Sequence, residues 1–340
     1  MVIIHFFLIF FFPNQLIFII ILIIRTILSI SSNSWLGAWI GLEINLLTFI
    51  PLIRRVKNCF SSEASIKYFI IQAFASSLLL FSSIIIYINF LFNINFLFIL
   101  ITLLLKIGAA PFHFWFPLVA EGISWNINII LITWQKLAPI ILISYISNFI
   151  SFFLQISALI RIIIGRIIGL TQTSLRKIIS YSSINHIGWI IRTFFLNKIL
   201  WKVYFIVYTI LTILILKIFH IFNIFHFNQI FNFNNFNKYI KFIIFCNFLS
   251  LGGLPPFLGF LPKWFILNNL IYNQFYLIII FILIFTLINL FYYLRIRINS
   301  FLLLNIQLKW NLFIVSFNYY LNTLIIFSIF GLFFRFIFFC

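Results

Sequence analysis

The sequence predicts an all-α polytopic membrane protein of about 11 transmembrane helices, with an inverted five-helix repeat and two broken helices. Three observations lead there. Of 340 residues, 65% are hydrophobic and only 7% charged, against roughly a quarter charged in a soluble domain. Apolar runs of membrane-spanning length follow one another with short polar breaks. A segment interrupted by Gly and Pro occurs twice. This balance excludes a soluble globular enzyme, a disordered tail and a disulfide scaffold. The net charge of +19 comes from single Lys and Arg residues set in Ile/Phe/Leu tracts. It is not a basic stripe, so no nucleic-acid partner is expected; the lipid bilayer is.

The apolar runs place spans near 7–29, 34–53, 63–88, 92–111, 126–147, 149–170, 174–196, 200–221, 240–261, 274–296 and 320–339. The first ends in no small-residue cleavage site and has no basic leader, so it reads as a retained span. The Asn-rich stretch 226–238 reads as a loop. Loops after even-numbered spans hold Arg54, Arg55, Lys57, Arg176, Lys177, Lys238, Lys241, Arg295, Arg297 and Lys309, while odd-numbered loops hold chiefly Lys198 and Lys202. The N-terminus therefore faces the positive-inside compartment. A single domain is expected over 1–340, with repeat halves near 1–147 and 149–296 and a C-terminal helix near 320–339.

The repeat pairs Leu105-Lys106-Ile107-Gly108-Ala109-Ala110-Pro111 with Leu249-Ser250-Leu251-Gly252-Gly253-Leu254-Pro255, an offset of 144 residues. The copies fall five spans apart, and an odd separation makes them opposite in direction. Gly and Pro inside an apolar helix release backbone groups that water or neighbouring protein must satisfy. Such breaks mark ion paths. An ordinary helix end followed by a Pro-containing loop is the other reading.

Chemistry-bearing residues are few. There is no Asp; the acids are Glu43, Glu63 and Glu121. Cys59, Cys246 and Cys340 lie far apart, and His5, His113, His186, His220 and His226 lack metal-ligand spacing, so neither a metal nor a cofactor is expected in this chain. Four charges lie within or beside spans: Glu43, Lys106, Lys136 and Lys263. At about 2.5–3.5 kcal/mol each they ask for roughly 10–14 kcal/mol, too much to be incidental. Snorkelling or structural pairing is the alternative. Burial disfavours a charged lysine and a nearby carboxylate favours it, so moving one partner loads or releases a proton. His113 and His186 are weaker candidates for a relay, against a structural role as hydrogen-bonded core histidines. Gly37 and Gly41 suggest close helix packing. Trp35 and Trp39 share the Glu43 face. Glu63 and Lys67 suit an ion pair at a helix end.

Six segments resemble one family: NSWLGAWIGLEINLL (33–47), SSEASIKYFIIQAFASS (61–77), LKIGAAPFHFWFP (105–117), LITWQKLAPIILISY (131–145), TSLRKIISYSSINHIGWI (173–190) and LSLGGLPPFLGFLPKW (249–264). They look like mitochondrial NADH dehydrogenase subunit 2 in an arthropod-like form, from about residue 30 onward. The resemblance implies an antiporter-like subunit in the membrane arm of respiratory complex I, in the inner mitochondrial membrane with the N-terminus in the matrix. Bacterial members of that family have fourteen helices, and animal forms lack the first three. It implies other membrane-arm subunits as partners, with NADH, FMN, iron–sulfur clusters and ubiquinone handled elsewhere in the complex. By motif, the family's functional glutamate falls on Glu43 and its lysines on Lys106, Lys136 and Lys263. A cation/proton antiporter subunit and a purely structural scaffold are the competing functions.

The resemblance also bears on the letters. Related animal subunits are rich in Met, yet this chain has one. Arthropod mitochondria read ATA as Met and AGA as Ser. Translation with another table would write Ile and Arg instead, so Arg161, Arg166, Arg192 and Arg335 are expected to stand for Ser at several places; the competing reading is that they snorkel to the interface or meet acids on neighbouring subunits.

Overall fold

A computed structural model describes residues 13–54, 58–88, 92–196, 199–226, 229 and 238–302. The described residues are helical apart from turns and one isolated bridge, between Ser174 and His226. Two compact units divide the chain, Met1–Ile156 and Ser157–Cys340.

The first unit holds α1 (Pro13–Ser31), α2 (Trp35–Ile53), α3 (Cys59–Tyr87), α4 (Phe92–Ile107), α5 (Trp115–Gly122), α6 (Trp125–Ile132) and α7 (Trp134–Ile146). Ser34 caps α2, accepting a hydrogen bond from the Gly37 amide at 3.2 Å. The small residues of α2 do what their spacing suggests. A Cβ at Gly41 would lie 2.7 Å from Ser29 Cβ, so only glycine lets α2 press this closely on α1. Trp39 donates across to α3, to the Ser76 carbonyl at 3.0 Å. Glu63 and Lys67 pair on the exposed first turns of α3. α3 packs on α2, α4 and α5, and α7 packs on α1 and α4. Phe49, Leu79, Leu103, Val119, Ala138 and Ile143 are fully buried between them.

The second unit, from residue 157, takes most of α8 (Ser151–Thr171) and holds α9 (Leu175–Thr193), α10 (Leu200–Ile221), α11 (Lys238–Gly252), α12 (Phe260–Tyr272) and α13 (Tyr276–Leu302). α10 is central and packs on α9, α11 and α12; α13 covers α11 and α12. Gly188 of α9 sits so close to α8 that a Cβ would approach Ile162 Cγ1 to 2.9 Å.

Two features suit these helices to a bilayer. By length and composition, Trp35–Ile53, Cys59–Ile86, Trp125–Ile146, Ser151–Thr171 and Leu200–Ile221 are able to cross one, and shorter apolar helices accompany them. Hydroxyls are satisfied locally: Ser29, Ser76, Ser82, Thr102, Ser180 and Thr193 each donate to the carbonyl three residues back. The outward faces are apolar, as at Ile17, Ile20, Ile24 and Ile27 of α1.

The expected spans need two corrections. Residues 240–261 do not form one span, because α11 stops at Gly252 and a separate helix, α12, begins at Phe260. The 92–111 span likewise stops at Ile107, and α5 follows as its own short helix. Span 126–147 corresponds to Trp125–Ile146, with a turn at Thr133 (φ −107°, ψ −67°), whose hydroxyl donates to the Ile129 carbonyl at 2.7 Å. The 320–339 span lies outside the described residues, as do nearly all of the 226–238 loop and the first six residues of span 7–29.

The repeat survives with its register moved by one. Gly108 and Gly253 are the glycines with positive φ, +69° and +83°, an offset of 145 residues. Each sits in a Schellman turn. Ala109 N–H bonds to Leu104 O and Gly108 N–H to Leu105 O; Leu254 N–H bonds to Leu249 O and Gly253 N–H to Ser250 O, all at 3.1–3.3 Å. The following helices begin at the same offset, capped by Phe114 and Gly259. Doubled Gly252-Gly253 and Pro255-Pro256 leave the alignment tied between 144 and 145. The left-handed residue breaks the tie, and 145 also pairs Leu104 with Leu249 and Phe112 with Phe257.

Candidate functional site

In the first unit, α2, α3, α4, α5, α6 and α7 surround a small cavity. Asn45, Tyr68, Gln72, Lys106, Trp115, Phe116, Gln135 and Lys136 line it with Leu42, Leu46, Ile107, Leu131 and Pro139. It has room for about one water. Lys106 occupies the last turn of α4, ahead of the Schellman turn, where the negative end of the helix dipole favours a cation. Glu43 of α2 acts electrostatically on it, and Glu43 Oε2 is buried with no hydrogen-bond partner. Lys136, 1% exposed, also lines the cavity, with its amine over the Phe116 ring, 4.3 Å from the centroid. The structure thus brings Lys106 and Lys136 to one interior space, with Glu43 close enough to act electrostatically on Lys106.

Three amides complete the wall. Gln72 Nε2 donates to the Lys106 carbonyl at 3.1 Å, tying α3 to the end of α4. Gln135 Nε2 donates to Asn45 Oδ1 at 3.2 Å, joining the helix of Lys136 to that of Glu43. Sequence reasoning passed over these residues and Tyr68. Their signal was present all the same, since an amide inside an apolar helix needs an internal partner as a charge does. His113 lies in the turn between α4 and α5, with Nδ1 3.2 Å from the Pro111 carbonyl; it lines no wall of this cavity.

In the second unit Lys263 sits in the first turn of α12 and reaches back to the broken end of α11. Its amine donates to Leu251 O at 2.8 Å and Gly252 O at 2.6 Å. Those carbonyls belong to the last turn of α11, which has no following amides to bond them. A Cβ at Gly253 would lie 2.7 Å from Lys263 Cδ, so the glycine serves both the left-handed turn and the passage of the lysine. His186 is buried in α9, with Nδ1 2.8 Å from the Tyr204 hydroxyl and its ring 5.0 Å from that of Tyr208. Among the described residues no three His, Cys, Asp or Glu side chains cluster as a metal ion requires.

Comparison with known proteins agrees with this geometry. A family model described as NADH:quinone oxidoreductase/Mrp antiporter, transmembrane, matches residues 32–289. The NADH-ubiquinone oxidoreductase chain 2 of Anopheles gambiae is 51% identical over 304 residues, covering 87% of this chain and 88% of that one. Its counterpart in Aedes aegypti is 53% identical with the same coverage. Among solved structures, a chain of respiratory complex I from Thermus thermophilus with bound aureothin superposes with a TM-score of 0.77 at 21% identity, covering 84% of this chain and 70% of that one, which shows a common fold. The chain belongs to the NADH:quinone oxidoreductase/Mrp antiporter membrane family, among its NADH-ubiquinone oxidoreductase chain 2 members.

Proposed function

We propose that this chain is the antiporter-like membrane-arm subunit of NADH:ubiquinone oxidoreductase that carries protons along Glu43, Lys106, Lys136 and Lys263, as one transmembrane domain of two repeat halves. The carrying observation is the cavity of the first unit, where two lysines line one space inside apolar helices and Glu43 acts electrostatically on one of them. Buried charges of this number are costly and persist where they move charge. The chain works in the inner mitochondrial membrane beside other membrane-arm subunits, with its N-terminus in the matrix. Oxidation of NADH and reduction of ubiquinone occur on cofactors held by other subunits, and none is held here.

A change passed from neighbouring subunits alters the separation of Glu43 and Lys106. A closer carboxylate holds the proton on Lys106, and a more distant one releases it. Lys136 accepts it across the cavity, by way of one water or by swinging its flexible stem. Lys263 exchanges protons at the second break, where Leu251 O and Gly252 O hold the ammonium form. His113 and His186 are secondary relay candidates; His186 has the better geometry, through the Tyr204 hydroxyl. The test is co-purification with an NADH-oxidising assembly, followed by proton transfer per NADH in its Glu43→Ala form. Pumping should fall several-fold with the assembly intact; parental pumping would reject the relay.

A further inference from the structure

The helix break that holds Lys106 and the amine of Lys136 touch the same side chain. Phe116, in the first turn of α5, is 1% exposed. On one side its Cβ abuts Gly108, where an added methyl would lie 2.7 Å from it. On the other its ring face lies 4.3 Å from the amine of Lys136. Its neighbour Trp115 fastens the start of α5 to the last turn of α4 by donating to the Leu105 carbonyl at 3.2 Å. Tyr68 of α3 packs edge-on against Trp115 at 5.8 Å and closes the arrangement from behind. The first turn of α5 therefore cannot move independently of the turn that ends at Lys106.

The geometry points to Phe116 as a positioning residue that transmits displacement of the Lys106 break to Lys136. This rests on the relay reading above and adds the physical link between its two lysines. A ring face favours an ammonium over a neutral amine, and the preference falls off as the ring slides from beneath the charge. Movement of the α4 end towards or away from Glu43 carries Gly108, hence Phe116, and so changes how firmly Lys136 holds its proton. The other titratable groups that share the cavity with Lys136 are Tyr68 of α3 and Lys106 of α4, with Glu43 of α2 acting on Lys106. None of these is changed by substituting Phe116.

The experiment uses the assembled complex and follows proton transfer per NADH as a function of pH. In Phe116→Leu the alkaline limb should move to lower pH by roughly one unit, because the loaded form of Lys136 loses its ring. Phe116→Tyr, which keeps the ring face, should retain the parental profile. Where the leucine variant lowers assembly, Phe116→Met serves in its place. A parental profile in the ringless variant overturns the inference, and so does an equal shift in the tyrosine variant. Lys136→Ala separates the two levels. If it abolishes pumping while the ringless profile is unmoved, only the role of Phe116 falls; if it pumps normally, the relay itself is wrong.

Discussion

The two helix breaks solve one problem with opposite placements of the lysine. At the first, Lys106 belongs to the helix that ends, one residue before its last. At the second, the corresponding position is Leu251, and the amine arrives from Lys263 on the following helix to bond the Leu251 carbonyl itself. The backbone is common to both: a Schellman turn about a left-handed glycine and a new helix capped six residues later. A broken helix end, with exposed carbonyls and a negative dipole terminus, is the conserved resource within this chain. Where the cation is anchored is free to vary.

The sharpest contrast lies at the caps. Phe114 at the first is 70% exposed, whereas Gly259 at the second is pressed against the Ser250 carbonyl, with no space for a Cβ. Gly259→Ala should therefore lose most of the assembled complex, while Phe114→Ala assembles at near-parental amounts; quantitative native electrophoresis reads both. Equal tolerance would show that the second break is as loose as the first.

A smaller effect is expected at the left-handed residues. Gly108→Ala and Gly253→Ala should each cost about 1–2 kcal/mol from the backbone alone. Both should also cost pumping, since the methyl at Gly108 would press on the Phe116 Cβ and that at Gly253 on the Lys263 stem. Thermal unfolding and proton transfer per NADH, measured together, separate the two costs. Smaller again is Gln72→Ala, which removes one buried hydrogen bond to the Lys106 carbonyl and should cost about 1 kcal/mol with pumping largely retained.

How much of this was legible follows from what each residue costs. The charges stood out because a membrane makes them expensive, and both breaks stood out through Gly and Pro. The register was off by one because duplicated Gly and Pro fit either alignment, and only the backbone conformation chooses. The turn at Thr133 left no Gly or Pro at the site, so it could not be read. Phe116 was illegible for another reason. In a chain with 51 phenylalanines, one more carries no signal until its ring is seen over an amine.

The arginines sharpen the same contrast between units. Arg161, Arg166 and Arg192 are 0–2% exposed. All three acids of the sequence lie before residue 157, and Arg166 donates to the Ile282 carbonyl at 3.4 Å. Serine at these places would bond back to its own helix, as the other serines do. Arg335 lies outside the described residues. Mass spectrometry of native peptides spanning Arg166 and Arg192 should find serine; arginine there would reject the altered reading and leave the lysines untouched.

The central claim is that Lys106 and Lys263 act by gaining and losing protons, and not merely as cations bound to broken helices. Arginine keeps the charge and hydrogen-bonding capacity but does not release its proton. Proton transfer per NADH in assembled Lys106→Arg and Lys263→Arg complexes is therefore the most direct measurement. The account predicts intact assembly with pumping reduced several-fold in both variants; parental pumping in both, with arginine at the two breaks, would contradict it.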